Sequence, residues 1–322
     1  MSRNENLTQV RDEKFTDKME EISEKINRMF MPNLKKYFKT ENLSILHKFK
    51  LYLDDLYYNT GDNNVEDNKY DLLKDILKIR DPNHKPSIGA KLRDGENRAK
   101  LPYWLGSTDK ITPDEPDLLK RWKKDNIATS YIVSQKLDGV SCLLVHKNNK
   151  IKLYTRGDGV IGADISYLTG YFHIPELKED IAVRGELIIQ KEIFEARHKE
   201  TYKNPRNMVS GLIGGKTARK GLEDVNFVTY EIVGDNMPKP SEQHKKLTKL
   251  GFMVVKYKLL DRNDLTMNIM AELYLTFRDK SIYELDGLII QSDLPYDRNI
   301  SGNPEYMFAF KMLIEDSIHE TT

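Results

Sequence analysis

The stretch Ser134-Gln135-Lys136-Leu137-Asp138-Gly139 decides how the rest of the chain is interpreted. Apolar residues predict one strand over 131–134, and a second predicted strand, 140–146, begins directly after the glycine. A lysine between two such strands is expected in the wall of a pocket. Because an amine attacks phosphorus only when it is unprotonated, apolar neighbours that disfavour the ammonium form suit a nucleophile. Lys136 is therefore the candidate nucleophile, and the alternative is an ordinary surface lysine beside an Asp-Gly turn.

The composition indicates a globular chain without a strong charge preference. Its 322 residues are 39% hydrophobic, which is enough for one large domain or two unequal domains. Lys and Arg number 51 against 50 Asp and Glu, so any binding to nucleic acid must come from a local basic patch. The single cysteine, Cys142, excludes a disulfide framework and is expected in the core. No secretion signal or stretch of 18 apolar residues is found, so we expect no membrane association and a cytoplasmic or nuclear location.

The first quarter of the chain predicts helices. Apolar residues recur at three- and four-residue spacing over 14–80, and Asp67 has the position of an N-cap for a helix that reaches Ile79. Aromatic and acidic residues converge around the corner that precedes this helix, either as a binding site or as a core tyrosine pair with a capping Asp; they are Tyr57, Tyr58, Tyr70, Asp67 and Asp71. Residues 80–100 are rich in proline, glycine and charge, and predict a linker.

From Leu101 onward the pattern changes to short strands separated by glycine and asparagine turns. Helical patterns lie between the strands at 117–124, 191–199 and 241–250. We therefore predict an α+β fold with a mainly antiparallel sheet. The predicted strands after the first two are 151–154, 181–189, 227–233, 253–257, 287–291 and 307–312.

Polar residues interrupt these strands in a way that suits a nucleotide pocket. Arg156, in Thr155-Arg156-Gly157-Asp158-Gly159, can contact a ribose or a phosphate. Glu186 lies inside an apolar strand and needs a partner, which is either a ribose hydroxyl or a neighbouring cation. Asn204-Pro205-Arg206-Asn207 predicts a rigid polar turn, and Lys311 in an aromatic strand calls for an anionic partner.

Six motifs in order resemble the nucleotidyltransferase motifs of polynucleotide ligases: Lys-x-Asp-Gly, Arg-Gly-Asp-Gly, Arg-Gly-Glu, Asn-Pro-Arg-Asn, Asp-Gly-Leu-Ile-Ile and Ala-Phe-Lys. The tyrosine and aspartate cluster near residue 60 resembles the N-terminal domain of the NAD-dependent DNA ligases, which the ATP-dependent ligases lack. Leu105-Gly106-Ser107-Thr108-Asp109 is similar to the adenine-contacting segment of that family. The residue usage resembles the ligases of large DNA viruses.

The resemblance implies a helical lid that binds nicotinamide mononucleotide (NMN) over residues 1–85 and an ATP-grasp-like nucleotidyltransferase domain with antiparallel sheets over 86–316. Residues 317–322 would begin an OB-fold domain, so we expect an adenylation fragment of a DNA repair and replication enzyme. NAD+ and Mg²⁺ are the implied cofactors. Nicked duplex DNA is the implied partner of a monomer, and a viral protein would act at the replication site.

The resemblance also implies a role for each matching residue. Lys136 would attack the α-phosphorus of NAD+ and release NMN, with Asp138 and Lys311 as further catalytic residues. The implied contacts to the AMP half come from Ser107 and Tyr230 at the adenine, from Glu186 at the ribose, and from Arg156 in the same pocket. Arg206 would steer the leaving half, Lys311 would neutralise charge on the α-phosphate, and Thr108 and Asp286 are further implied cofactor-binding residues. Tyr57, Tyr58 and Tyr70 would form an aromatic box for nicotinamide, with Asp67 and Asp71 as hydrogen-bond partners.

Four positions depart from the family pattern. Tyr58 replaces a histidine, Ser134 replaces a glutamate, Gln291 replaces a lysine, and Gly214 stands where a second basic residue is common. These changes put rate and nucleotide affinity in question. Two other classes remain open: an ATP-dependent DNA or RNA ligase core, and a catalytically decayed module that only binds nucleotide or DNA.

Overall fold

The computed structural model describes residues 13–56, 64–82, 97–215 and 217–312. The chain divides into two compact units, residues 1–94 and 95–322. Each unit is described by itself below.

The first unit is a group of helices, as the sequence predicts. The helices are α1 (Glu13–Asn27), α2 (Met31–Thr40), α3 (Leu43–Asp55) and α4 (Asp67–Arg80). Asn42 caps α3 by accepting a hydrogen bond from the Ser44 backbone N at 2.8 Å. The apolar faces meet in one core, whose largest fully buried members include Phe38 and Phe49. The prediction for Asp67 was wrong by one position, because Glu66 is the N-cap and Asp67 is the first helical residue.

The predicted linker is also shorter than expected. Strand β1 (Arg98–Lys100) falls inside residues 80–100 and pairs antiparallel with β6 (Ile161–Ala163). Three residues, two of them charged, are too few to show a strand pattern, so this strand is specified by its partner and not by its own side chains. It leads directly into the buried side chain of Leu101.

The second unit is built on two five-stranded sheets. Neighbouring strands in both sheets are antiparallel except for one parallel pair in each, which confirms the predicted α+β class. The first sheet has the order β10-β3-β11-β12-β2, with strands Tyr257–Asp261, Ser130–Leu137, Leu285–Ser292, Met307–Phe310 and Asp109–Ile111. The second has the order β5-β4-β7-β8-β9, with strands Lys150–Thr155, Val140–Lys147, Ile181–Ile189, Val225–Val233 and Met253–Val254.

Five helices accompany these sheets: α5 (Pro116–Asp125), α6 (Lys191–Arg197), α7 (Pro205–Ile213), α8 (Pro240–Lys249) and α9 (Met267–Lys280). The predicted polar turn at Asn204 is instead the start of α7, where the Asn204 side chain accepts a hydrogen bond from the Asn207 backbone N at 2.8 Å. Proline suits the first turn of a helix, since its missing N–H needs no partner there. Helix α9 was not predicted, because only Met270 and Tyr274 of its fourteen residues are buried.

One buried apolar cluster of the second unit lies against the first sheet, and another includes residues of the second sheet. Phe308 on β12 is fully buried and meets Trp122 on α5 edge to face, with ring centroids 4.8 Å apart. Cys142 on β4 is fully buried, as predicted. No helix among the described residues is long and apolar enough to cross a membrane.

Candidate active site

Lys136 is placed by the pairing of two strands that lie far apart in the sequence. It lies within β3, which extends beyond the predicted end at residue 134, and it is opposite Gly287 on β11. The register between these strands shifts between Leu285 and Gly287, so Asp286 is the extra residue of a β-bulge. Because a bulge re-aims a side chain, Asp286 is directed to the lysine of the neighbouring strand.

Asp286 joins the two lysines that the sequence singles out. Its Oδ2 accepts a hydrogen bond from Lys136 Nζ, and its Oδ1 is 2.9 Å from Lys311 Nζ. Burial alone would raise the pKa of Asp286, but the two ammonium groups outweigh it and hold the pKa well below its usual range. Lys311 follows the end of β12 and does not lie within the strand, and its backbone N donates to the Ile111 carbonyl at 3.2 Å. One ionised carboxylate therefore orients both amines.

Gly287 allows β12 to approach this corner. Its φ is +139°, and a Cβ atom at this position would lie 2.3 Å from the Phe310 carbonyl oxygen. Only glycine fits such a conformation and such a close backbone approach. Phe310 is the residue before Lys311, so the glycine sets the position of the second lysine.

Asp138 and Arg206 form the next pair. Arg206 Nη1 donates to Asp138 Oδ1 at 3.0 Å, and Asp138 is two residues beyond Lys136. Arg206 lies in the first turn of α7, so the helical start of this segment directs its guanidinium toward the turn between β3 and β4, which contains Asp138. Gly139, the last residue of this turn, has no room for a Cβ atom, which would lie 2.4 Å from the Leu187 carbonyl oxygen on β7.

Glu186 and Tyr230 are neighbours on adjacent strands of the second sheet. Tyr230 Oη donates to Glu186 Oε2 at 3.3 Å, and it is also 3.0 Å from Ser141 Oγ on β4. Burial raises the pKa of Glu186 above its usual value. Positive charge opposes this rise and comes from four side chains, those of Arg206, Lys136, Arg184 and Arg156. Glu186 therefore lies in the same electrostatic environment as the candidate nucleophile.

The segment that contains Ser107 and Thr108 is held in place by an arginine of another strand. Both residues are half-buried, and Gly106 before them accepts a hydrogen bond from Arg184 Nη2 at 3.0 Å. Arg184 is on β7, two residues before Glu186. The segment is thus connected to the same strand as the carboxylate.

Three of the four departures from the family pattern lie in described residues. Ser134 and Gln291 are buried on β3 and β11, and Gly214 is the C-cap of α7. The Gln291 Nε2 atom is buried without a hydrogen-bond partner in the described part of the chain. A neutral amide thus occupies this position, where the family pattern has a charged lysine.

The N-terminal cluster is described only in part. Tyr57 and Tyr58 lie outside the described residues, and the side chain of Asp67 is likewise not described. Tyr70 Oη donates to Asp54 Oδ1, and Asp71 is 3.4 Å from Lys74 Nζ. Asp54 is buried and also accepts from Lys50 Nζ at 2.6 Å, so it orients the Tyr70 hydroxyl.

Sequence reasoning missed several residues that organise these contacts. Asp54 had a detectable signal, since a carboxylate among apolar helical positions has Lys50 four residues earlier as a partner. Arg184 is the first residue of the recognised Arg-Gly-Glu motif, but the sequence analysis assigned it no role. Glu231 and Arg298 carry no motif, and only the folded chain shows that they meet at 2.7 Å.

No group of three or more His, Cys, Asp or Glu side chains among the described residues is arranged to hold a metal ion. The carboxylates nearest Lys136 already have cationic or hydroxyl partners. The donor set therefore lacks a cage made only of protein ligands.

Comparison with known proteins shows a family match and several similar chains. The model of the NAD-dependent DNA ligase adenylation domain matches residues 115–313, more than half of the chain. A DNA ligase of Acanthamoeba polyphaga mimivirus is 42% identical over 265 residues, covering 79% of this chain and 40% of the relative. A putative DNA ligase of Invertebrate iridescent virus 6 is 36% identical, covering 85% of this chain and 45% of the relative.

Bacterial chains are also similar, for example the DNA ligase of Treponema pallidum at 27% identity, covering 85% of this chain and 36% of that relative. Among solved structures, an apo mutant of Naegleria gruberi RNA ligase is 16% identical with a TM-score of 0.37, covering 71% of this chain and 61% of that chain. The chain spans less than half the length of these curated relatives.

Proposed function

Because this chain belongs to the NAD-dependent DNA ligase family, we propose that it transfers AMP from NAD+ to Lys136. The observation that carries this proposal is the bridge of Asp286 between Lys136 and Lys311. It places a nucleophilic amine and a second cation at one point, as attack on a phosphoryl group requires.

In the proposed step, the unprotonated Lys136 Nζ attacks the α-phosphorus of NAD+. A nitrogen–phosphorus bond forms, the bond from that phosphorus to the bridging oxygen breaks, and NMN leaves with the electron pair. The proton that Nζ gives up passes to water, since the low pKa of Asp286 makes that carboxylate a poor final acceptor. Asp286 orients the amines, and Lys311 offsets the negative charge on the phosphate.

The remaining residues around Lys136 suit the AMP half of the substrate. Glu186 is a buried acceptor for ribose hydroxyls, and Tyr230 supplies an aromatic ring for the base. Arg156 and Arg206 are cations within the field of Glu186, and they suit the phosphates. Ser107 and Thr108 are our candidates for contacts to the edge of the adenine, together with the backbone beside them.

The N-terminal unit is our candidate for recognition of the NMN half. We propose that Tyr57, Tyr58 and Tyr70 provide its aromatic surface and that Asp67 and Asp71 are its hydrogen-bond partners. The support is chemical, since aromatic rings attract a cationic ring such as nicotinamide. Asp54, which orients Tyr70, belongs with this group.

Mg²⁺ fits this site only as a partner of the substrate. The described residues offer no dedicated cage, and Mg²⁺ commonly keeps several waters while it binds phosphate oxygens. When bound there, it would neutralise charge on the phosphates. The whole protein is proposed to act as a monomer on nicked duplex DNA, in the cytoplasm or at a viral replication site, in support of repair and replication.

The deciding experiment is intact-mass measurement after incubation with Mg²⁺ and either NAD+ or ATP. We expect a gain of one AMP from NAD+ only, loss of this gain in Lys136→Ala, and its retention in Lys246→Ala. Lys246 is a suitable control because it is a half-exposed lysine in a surface ion pair with Glu179. An adduct from ATP would indicate the ATP-dependent branch, and no adduct from either nucleotide would indicate a binding module.

A further inference from the structure

A buried carboxylate that belongs to none of the ligase motifs lies beside the proposed adenine pocket. Glu231 follows Tyr230 on β8 and is 7% exposed. Burying an ionised carboxylate is costly unless cations compensate it. Glu231 Oε1 is 2.7 Å from Arg298 Nε, and Glu231 Oε2 is 3.7 Å from Arg184 Nη1. Two guanidinium groups therefore share this one acceptor.

Each of these arginines also holds the segment that leads to Ser107. Arg298 Nη1 donates to the Trp104 carbonyl, and Arg184 Nη2 donates to the Gly106 carbonyl at 3.0 Å. The planar fork of arginine can contact a carboxylate and a carbonyl at once, in fixed directions. Residues 104–106 are thus attached at two points, and both points depend on Glu231 for their orientation.

A β-bulge brings Tyr230 into the same arrangement. Arg184 pairs with Glu231 and Gly185 pairs with Thr229, so Tyr230 is the extra residue of β8. The Arg184 guanidinium carbon is 5.8 Å from the centroid of the Tyr230 ring. Arg184 Nε also donates to Ser141 Oγ at 3.3 Å, and this hydroxyl is hydrogen-bonded to Tyr230 Oη. Arg184 therefore contacts the proposed stacking ring as well as the segment at Gly106.

We propose that Glu231 is a positioning residue for adenine recognition, which acts through Arg184 and Arg298 to fix the segment 104–107 relative to Tyr230. This inference rests on the proposed function, in which Ser107 and Tyr230 contact the base. It extends that function by naming a residue, outside the recognised motifs, that sets affinity for adenine nucleotides. Glu231 itself touches no substrate.

The test compares two variants with a matched control. Glu231→Gln keeps the shape and removes the charge that orients both arginines. Arg298→Lys keeps the charge, but an ammonium lacks the fork that contacts Glu231 and Trp104 together. Asp224→Asn is the control, because Asp224 is a similarly buried carboxylate whose oxygens lie 2.7 Å from Arg197 Nη1 and from His198 Nε2, and it lies outside the proposed site.

Two readouts separate positioning from mere stability. The dissociation constant for AMP is measured by calorimetry in the Lys136→Ala background, which forms no adduct. The KM for NAD+ and the rate at saturating NAD+ are measured with Lys136 intact. We expect Glu231→Gln to raise the dissociation constant and the KM roughly 10-fold or more, because the loss of a hydrogen bond to a charged group weakens binding by about this factor. The saturated rate should change much less.

The outcomes are distinct. Unchanged AMP affinity in both variants, or an equal change in Asp224→Asn, would overturn the positioning role. If Glu231→Gln does not fold, Arg298→Lys decides, because it leaves Glu231 with a cationic partner. A wild-type chain that takes no AMP from NAD+ would contradict the proposed function alone, since the AMP affinities still test Glu231. Failure of the Lys136→Ala chain to bind AMP would contradict both.

Discussion

Replacing Gly287 with alanine tests whether the close approach of β12 to β11 holds the site together. The new Cβ atom would lie 2.3 Å from the Phe310 carbonyl oxygen, whereas ordinary contacts begin at about 3.4 Å. The strands must separate by about 1 Å to relieve this contact. Lys311 follows Phe310 directly, so its 2.9 Å contact with Asp286 should be lost.

The magnitude follows from two costs. A non-glycine residue in a sparsely populated region, such as φ +139°, costs about 1–3 kcal/mol. Overpacking against a backbone atom costs about 1–3 kcal/mol more. The variant should therefore lose roughly 2–6 kcal/mol of unfolding free energy. It should also lose most of its adenylation rate while still folded, because the second amine is displaced.

Alanine substitutions at two other glycines of the same chain distinguish the conformational cost from the overpacking cost. Gly302 has φ +67° and nothing within 4 Å of a Cβ position, so Gly302→Ala carries the conformational cost alone, about 1–2 kcal/mol. Gly170 also has open space and no positive φ, so Gly170→Ala should change stability by less than about 0.5 kcal/mol. The assay is denaturant unfolding of the three variants, combined with the rate of AMP-adduct formation.

The expected loss of unfolding free energy is largest for Gly287→Ala, smaller for Gly302→Ala and smallest for Gly170→Ala. If Gly287→Ala destabilised the chain no more than Gly302→Ala does, the backbone contact with Phe310 would not constrain the strands. Normal adduct formation by a folded Gly287→Ala variant would show that the position of Lys311 is unimportant.

Three further changes have expected outcomes. Asp286→Asn should lower unfolding free energy at neutral pH, because the depressed pKa means that the ionised carboxylate stabilises the fold above about pH 4, where its unfolded counterpart titrates. The difference in stability between this variant and wild type should become smaller only in more acidic solution, and thermal melts from pH 2 to 8 would measure it. Glu186→Gln should have the opposite effect on stability. The raised pKa means that ionisation of the buried carboxyl opposes folding, so the melting temperature of the variant should rise relative to that of wild type as pH rises. The KM of this variant for NAD+ should also increase. Phe308→Ala should cost about 3–5 kcal/mol in denaturant unfolding, because it removes a fully buried ring that packs on Trp122.

The helices of the first unit and most strands of the second were predictable because their apolar residues follow the period of the element. Where burial is slight, the pattern failed. Helix α9 buries only Met270 and Tyr274, and β1 is specified by its partner strand. The turn predicted at Asn204 became a helix because the capping asparagine and the following proline both favour a helical first turn.

The candidate site divides in the same way. The sequence singled out Lys136 because it lies between two predicted apolar strands, and Glu186 and Lys311 because a charged residue in a predicted apolar strand needs a partner. Glu231 and Arg298 were missed because their partners are remote in sequence, 67 residues apart, and no short motif joins them. Contacts of this kind depend on how β8 and the loop after β11 meet. The bulge at Tyr230 sets that register, and no sequence pattern revealed the bulge.

The pairing of β3 with β11 also determines when, during its synthesis, the chain can first form the proposed AMP adduct. Lys136 and Asp286 are 150 residues apart, and β11 lies between β3 and β12 in the sheet. Strand pairing across such a separation must overcome a large loop entropy and is slow. A nascent chain that has emerged only to residue 280 has its nucleophile but neither Asp286 nor Lys311. Adduct formation by ribosome-bound chains of increasing length would therefore begin only after Lys311 leaves the exit tunnel, and its onset would mark the completion of this sheet.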